Sequence, residues 1–337
     1  MAVENDFLPF AVGESANVLT QAQYAALTSL LQNGFSAGIA PSVQLNKVWR
    51  QSSIMASVIA QFIAQQTGQN VIDDGTTATL LTNLTAAIDA SVPGVVGQSR
   101  NLSMSVAAAS ATATLTADEI IVESALGGLR YCLPSFSKTI NLGTTGAGGM
   151  DTGSAPASGF VAIYAIYNPT TGASALLATN ETAAKVPEVY GGANPVAGYT
   201  ASALVSVWKT NSSGQFIVGD QVDRRVSEGP TNVLTTSAQQ STFATLNIAN
   251  AVPKNAKTCS GILQIGSTAL TSASLNVASD ASGVGQSNLS AYLSSTGIPI
   301  AGSFCDLQLP TAQTMYYTAV TSSGTMTATI YISGYTF

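Results

Sequence analysis

The sequence predicts an α+β multidomain protein. A small N-terminal α-helical domain (residues 1–95) precedes two antiparallel β-sandwich or jelly-roll-like domains (96–228 and 229–337). Three observations predict it. Apolar residues recur at helical spacing only before Pro93-Gly94; beyond that point they alternate at period two. Ser227-Glu228-Gly229-Pro230 then gathers turn formers between two strand-rich stretches and reads as a linker. A length of 337 residues, at about 150 per domain, accommodates the division.

Taken in order, Thr20 and Gln23 form a T-x-x-Q capping box, in which hydroxyl and amide each satisfy a free end-of-helix amide. Tyr24, Leu27, Leu30 and Leu31 continue at helical spacing to a stop at Gly34. A second helix is expected from about Ser42 to Thr67, ended by Gly68. Its Val48, Ser52, Met55, Ile59, Phe62 and Gln66 follow a 4-3 spacing that suits either a coiled-coil seam or an ordinary amphipathic core helix. A third helix, Thr76 to Ala90, carries Leu80, Leu81, Leu84 and Ile88, with Pro93 and Gly94 as its stop.

The β region begins with alternation over Ser103 to Leu115 and a β-branched run at Ile120 to Val122. Phe160 to Tyr167 is a strand, and Asn168-Pro169-Thr170-Thr171-Gly172 is its turn, with proline setting φ and glycine tolerating a positive φ. Ala203 to Trp208 and Phe216 to Val222 flank the polar turn Lys209 to Gly214. Further on, Thr258 to Ile265, Ser272 to Val277, Met315 to Val320 and Thr325 to Ile332 alternate, with Met326, Ala328, Ile330 and Ile332 on one face.

Composition narrows the chemistry. Charged residues make up 8% of the chain, against about 25% in an ordinary soluble protein. Eleven Lys and Arg against seventeen Asp and Glu leave a net charge of −6. Cations so sparse and scattered predict no basic patch, and hence no nucleic-acid partner. The absence of histidine removes His-based triads and His-ligated metals. Cys132, Cys259 and Cys305 are far apart and read as small buried hydrophobes. No metal or other cofactor is expected. No apolar run reaches the roughly 18–20 residues of a membrane span. The MAVENDF start lacks a signal-peptide pattern, so synthesis in a cytoplasm without membrane insertion is expected.

Local motifs read mostly as structure. Asp151-Thr152-Gly153 matches the D-T-G of aspartic proteases, but its small, turn-like flanks favour a glycine-rich loop. The loop GTTGAGG lacks the GK[ST] of a phosphate-binding P-loop. Asp118, Glu119 and Glu123, and Asp220 with Asp223, are the carboxylates available for glycoside cleavage. Ion pairs of the second set with Arg224 and Arg225 explain it more simply, and no catalytic residues are assigned. Asp73-Asp74-Gly75 lacks the spaced ligands of a calcium loop and suits a helix N-terminus.

Several segments resemble the tail fibre and receptor-binding proteins of tailed bacteriophages. They are FLPF at Phe7 to Phe10, the stretches AQYAALTSLLQNGFSAGIA and LNKVWRQSSIMASVIAQFIA around Trp49, and DDGTTATLLTNLTAAI. INLGTTGAGGMDTGSAP, AIYNPTTGASALLA and GYTASALVSVWKTNSSGQF join them, with a looser likeness over the last hundred residues. The resemblance implies a homotrimeric virion protein, assembled in the host bacterial cytoplasm and located in the tail. Its N-terminus would dock on a tail or baseplate protein, with Phe7, Phe10 and Trp49 as anchors. Its C-terminal domain would meet a bacterial surface polysaccharide or protein receptor, with Tyr292, Phe304, Tyr316, Tyr317 and Tyr335 as candidate contacts, since aromatic rings stack on sugar faces. The GYTF terminus after a regular strand reads as a chain end. The alternative is a structural tail connector without a receptor site. From Thr258 onward only Asp280 and Asp306 are charged, so recognition there is expected to be apolar, hydroxyl-mediated and insensitive to salt.

Overall fold

The computed structural model describes residues 3–91 and 94–337, so Pro93, the expected helix stop, lies outside the described residues. The chain divides into two compact units, Met1–Pro93 and Gly94–Phe337.

The first unit holds α1 (Gln21–Ala25), α2 (Thr28–Asn33), α3 (Ser42–Thr67) and α4 (Thr77–Ala90). The capping box forms as expected: the Gln23 amide N–H donates to the Thr20 hydroxyl, and the Thr20 N–H to Gln23 Oε1 at 2.9 Å. The single helix expected after it is instead two short ones, because Leu27 leaves helical geometry (φ −83°, ψ 58°). No residue of α1 or α2 is buried, so no packed face holds them as one rod. α3 matches its expected limits and ends at Gly68 in the left-handed region (φ 66°), whose N–H reaches Ala64 O at 3.0 Å. Asp74 caps the entry to α4 by accepting from the Thr76 amide at 2.8 Å and from its hydroxyl, and these bonds hold the Asp74 carboxyl below its usual range. The unit's core is small: Ala60, Ile63, Val71 and Ala87, with Phe7, Phe62, Leu80 and Leu84 packed partly against it.

The paired strands of the second unit are all antiparallel among the described residues, and the isolated bridges at Met150 are parallel. Its strands are β1 (Ser99–Arg100), β2 (Ser103–Val106), β3 (Thr112–Glu123), β4 (Arg130–Asn141), β5 (Phe160–Asn168), β6 (Ala173–Asn180), β7 (Ala201–Lys209) and β8 (Gly219–Val222), then β9 (Arg225–Thr236), β10 (Gln240–Asn247), β11 (Thr258–Ser267), β12 (Thr271–Ala278), β13 (Ser287–Leu293), β14 (Ile300–Gln308), β15 (Thr314–Thr321) and β16 (Met326–Thr336). Twelve strands form one sheet, in order β14-β11-β16-β9-β8-β2-β3-β7-β5-β6, with β1 and β4 also on β3. The other four form a second sheet, β10-β15-β12-β13.

The expected linker is a strand. β9 runs through Ser227 to Pro230, pairing Gly219↔Glu228 with β8 and Tyr335↔Val226 with β16. Its register against β16 slips between Ser227 and Thr231. Gly229 and Pro230 lie in that irregularity, where proline's missing N–H leaves no ladder bond unmade. The turn chemistry is therefore real but serves a bulge, and residues 94–337 form one unit instead of two domains. The core confirms the union: the Tyr335 hydroxyl donates to Val207 O at 2.9 Å, and Phe160 meets the Tyr335 ring edge-on at 6.4 Å.

Burial explains the strand patterns. Phe160 to Ile166 is continuously buried, so β5 shows no alternation, whereas Met326, Ala328, Ile330 and Ile332 form the inward face expected of them. Gly261 sits at a register shift of β11, and a Cβ there would lie 1.9 Å from Tyr331 O. Only glycine permits that approach.

Candidate functional site

Two surfaces carry the residues singled out from the sequence. In the helical unit, Phe7 is partly buried in the small core, while Phe10 and Trp49 are exposed and meet edge-to-face at 6.1 Å. Phe10 N–H donates to Ser53 Oγ at 2.9 Å, which holds the N-terminal strand of chain along α3. Of the seam expected on α3, Phe62 turns toward the core, but Met55 (60% exposed) and Ile59 face outward, beside Val58. An apolar groove of about 230 Å³ runs between α3 and α4, lined by Phe7, Ile59, Ile63, Leu80, Leu81 and Leu84. Such a contiguous apolar face is characteristic of a surface that another protein covers.

In the β unit, the aromatic candidates separate. Phe304 and Tyr335 are 2% and 1% exposed and belong to the core, so neither contacts a ligand. Strand aromatics pack inward when their register places them on the core face, and for these two it does. Tyr317 is opposite Val277 and packs partly against the core. Tyr292 and Tyr316 lie on the opposite face, where Tyr292 pairs with Ser272 and Tyr316 with Ala278. Tyr292 is 66% exposed. The same face carries a ladder of small polar side chains that the sequence reading missed. Asn276 Nδ2 donates to Thr318 Oγ1 at 2.8 Å, Asn288 Nδ2 donates to Asn276 Oδ1, and Ser290 donates to Ser274 at 2.7 Å. A shallow concavity of about 530 Å³ opens on this sheet among Ser272, Ser274, Ser290, Thr321 and Ser322. The available signal was the polar half of the β12 alternation, Ser272-Ser274-Asn276.

The carboxylates take structural partners. Asp118 accepts from Asn101 at 2.6 Å, and buried Glu123 pairs with Arg130 at 2.8 Å while accepting from Gly127 N–H. Arg224 and Arg225 do not pair with Asp220 or Asp223 as expected. Arg224 makes a fork to Glu188 at 2.9 and 3.1 Å, and Arg225 reaches Asp306 at 3.2 Å. Asp151 accepts from the Tyr190 hydroxyl at 2.8 Å, and burial together with that bond pushes Tyr190 up to about 12. Two carboxylates are raised above the ordinary range. Burial raises Glu181 and Glu228 to about 7, and neither Glu228 oxygen has a hydrogen-bond partner. Cys259 is buried as expected, and burial raises its thiol to about 12. Cys132 and Cys305 are exposed, contrary to expectation, because alternate positions of β4 and β14 face solvent. Among the described residues, no three metal-ligating side chains converge, and no helix is long and apolar enough to cross a membrane.

No family model matches the chain, and no curated protein matches it. Among solved structures, it is similar to the insecticidal delta-endotoxin Cry8Ea1 of Bacillus thuringiensis, at 9% identity and a TM-score of 0.21. That match covers 75% of this chain and 55% of the toxin, so the chain spans little more than half the length of the structure it matches. A superposition this loose carries no argument about fold or function.

Proposed function

We propose that the protein is a tail fibre of a bacteriophage virion, without enzymatic activity, that docks through its helical unit and contacts the bacterial surface through its β unit. The observation that carries the reading is the outer face of the β10-β15-β12-β13 sheet. It presents exposed Tyr292 beside an uncharged ladder of hydroxyls and amides. Such a face suits a sugar, because a ring can stack on the tyrosine while hydroxyl groups exchange hydrogen bonds with Ser and Asn. The helical unit supports the other half. Its core is too small to explain its exposed Trp49, Met55, Val58 and Ile59, which suits burial in a homotrimer and against a tail protein.

The experiment has two arms. Labelled full-length protein should bind host cells, and Tyr292→Ala should weaken that binding several-fold without changing the melting temperature. Virions carrying Trp49→Ala and Phe10→Ala should lose the fibre, which a quantitative immunoblot reads. Point changes are required because truncating the first twenty residues would remove Phe7 and the Asn5↔Val71 bridge, which belong to the unit's own fold. A protein that stays on virions in both variants and binds no cell refutes the fibre reading. Retention on virions through the helical unit with no cell binding favours the structural connector.

A further inference from the structure

The chain has six lysines among 337 residues, and three of them meet. Lys185, Lys254 and Lys257 border one hollow of about 490 Å³, completed by Thr258, Gln308 and Leu309. No aspartate or glutamate lines it, and among the described residues none of the three lysines forms an ion pair.

A buried asparagine builds this arrangement. Asn255, 4% exposed, accepts from Val186 N–H at 2.9 Å and donates to Val186 O at 3.0 Å, while its own N–H donates to Glu181 Oε1 at 2.9 Å. These bonds fasten the segment after β6 to the segment before β11, which brings Lys185 beside Lys254. Lys257 is held in turn by its N–H to Thr336 O at 2.7 Å and by Leu309 N–H to its carbonyl at 2.8 Å. The charge of Lys254 acts on Glu181, but that carboxylate is fully buried and burial raises it to about 7, so it compensates the hollow incompletely. Three ammonium groups around one concavity repel one another and focus a positive potential on whatever enters it.

We propose that this hollow binds the anionic groups of a bacterial surface polysaccharide. The proposal rests on the reading of the β unit as the surface-binding part. A lysine recognises phosphate or carboxylate as a point charge, without the fixed fork that arginine imposes. Three of them, drawn from two segments, suit a polymer carrying repeated phosphodiester or carboxylate groups. The volume lies within the range of about 300–1,000 Å³ usual for ligand sites. The tyrosine face supplies contacts insensitive to salt, and the hollow adds the salt-dependent part that the sequence reading did not foresee.

The test uses full-length protein and three soluble polymers: poly(glycerol phosphate), alginate and neutral dextran. Binding is measured by biolayer interferometry at about 50 and 500 mM NaCl, a range over which the Debye length shortens about threefold. One or both anionic polymers should bind at low salt, with affinity falling at least tenfold at high salt. The polymer that binds identifies phosphodiester or carboxylate as the group recognised. Lys185→Gln/Lys254→Gln/Lys257→Gln should abolish that binding with an unchanged melting temperature, and Lys138→Gln, outside the hollow, should retain it. No binding of either anionic polymer, equal binding of dextran, or an unaffected triple variant overturns the proposal. Whole-cell binding separates the two readings. Cells bound without polyanion binding leave the fibre reading standing and remove the anion site. Lysine-dependent polymer binding without any host-cell binding does the reverse.

Discussion

Replacing Asn255 by alanine removes the clamp that assembles the lysine hollow and leaves most of the unit untouched. Two hydrogen bonds to Val186 are lost, while the main-chain bond from residue 255 to Glu181 survives. A typical hydrogen bond contributes about 1 kcal/mol net, and a buried polar group left without a partner costs about 1–3 kcal/mol. Val186 is half-buried, so water relieves part of the penalty, and the expected destabilisation is about 2–4 kcal/mol. For a unit of this size, about 2–4 °C accompanies each kcal/mol, which places the drop in Tm at roughly 4–16 °C. Thermal unfolding followed by circular dichroism on the full chain measures it. Hydrogen exchange at the Val186 amide reports the same clamp locally, and its protection should fall. Affinity for the anionic polymer should fall with it, because Lys185 is no longer held beside Lys254. A Tm within 2 °C of the wild type together with an unchanged Val186 exchange rate would refute the reasoning, since the clamp would then hold nothing.

Glu228→Gln should remove a pH dependence. The folded-state carboxyl titrates near 7 against an ordinary value of 4.5, so its contribution to stability is complete below about 4.5 and is lost as pH rises through 7. The variant should therefore melt above the wild type at pH 8, by an amount equivalent to up to about 3 kcal/mol, with the gap closing near pH 4.5; an equal gap at both values would contradict it. Gly261→Ala should destabilise by more than about 3 kcal/mol, because the new methyl meets the Tyr331 carbonyl of a paired strand; a soluble variant with wild-type urea unfolding would show that β11 can shift. Met55→Glu/Ile59→Glu should dissociate the proposed homotrimer: light scattering should give about three times 34.2 kDa for the unaltered protein and the single-chain mass for the variant. Unchanged mass would remove the α3 face from the assembly interface.

Local signals carried the individual elements well. The Thr20–Gln23 box, the Ser42–Thr67 helix with its Gly68 stop, and the inward face of β16 all depend on neighbours within a few residues, so they are legible in the chain. The division of the β region was not. Ser-Glu-Gly-Pro has the same composition whether it ends a domain or occupies a bulge, and only the register of β9 against β16 distinguishes them. Aromatic candidates met the same limit. Tyr316 and Tyr317 are adjacent, yet strand alternation sends them to opposite faces, and the sequence does not say which face is covered.

What the sequence alone determined, then, is the kind of surface available: few charges, no histidine, and abundant hydroxyls on alternating strands. Tertiary structure alone decided where the scarce charges gather. Lys185 lies far along the chain from Lys254 and Lys257, and the sequence shows one lone cation and a distant pair. They meet because Asn255 must satisfy its buried amide, and the partner that does so is the main chain of Val186, next to Lys185. A buried polar group demands a hydrogen-bond partner wherever one can be reached. Which distant segment supplies it is settled by packing, and local sequence does not record the outcome.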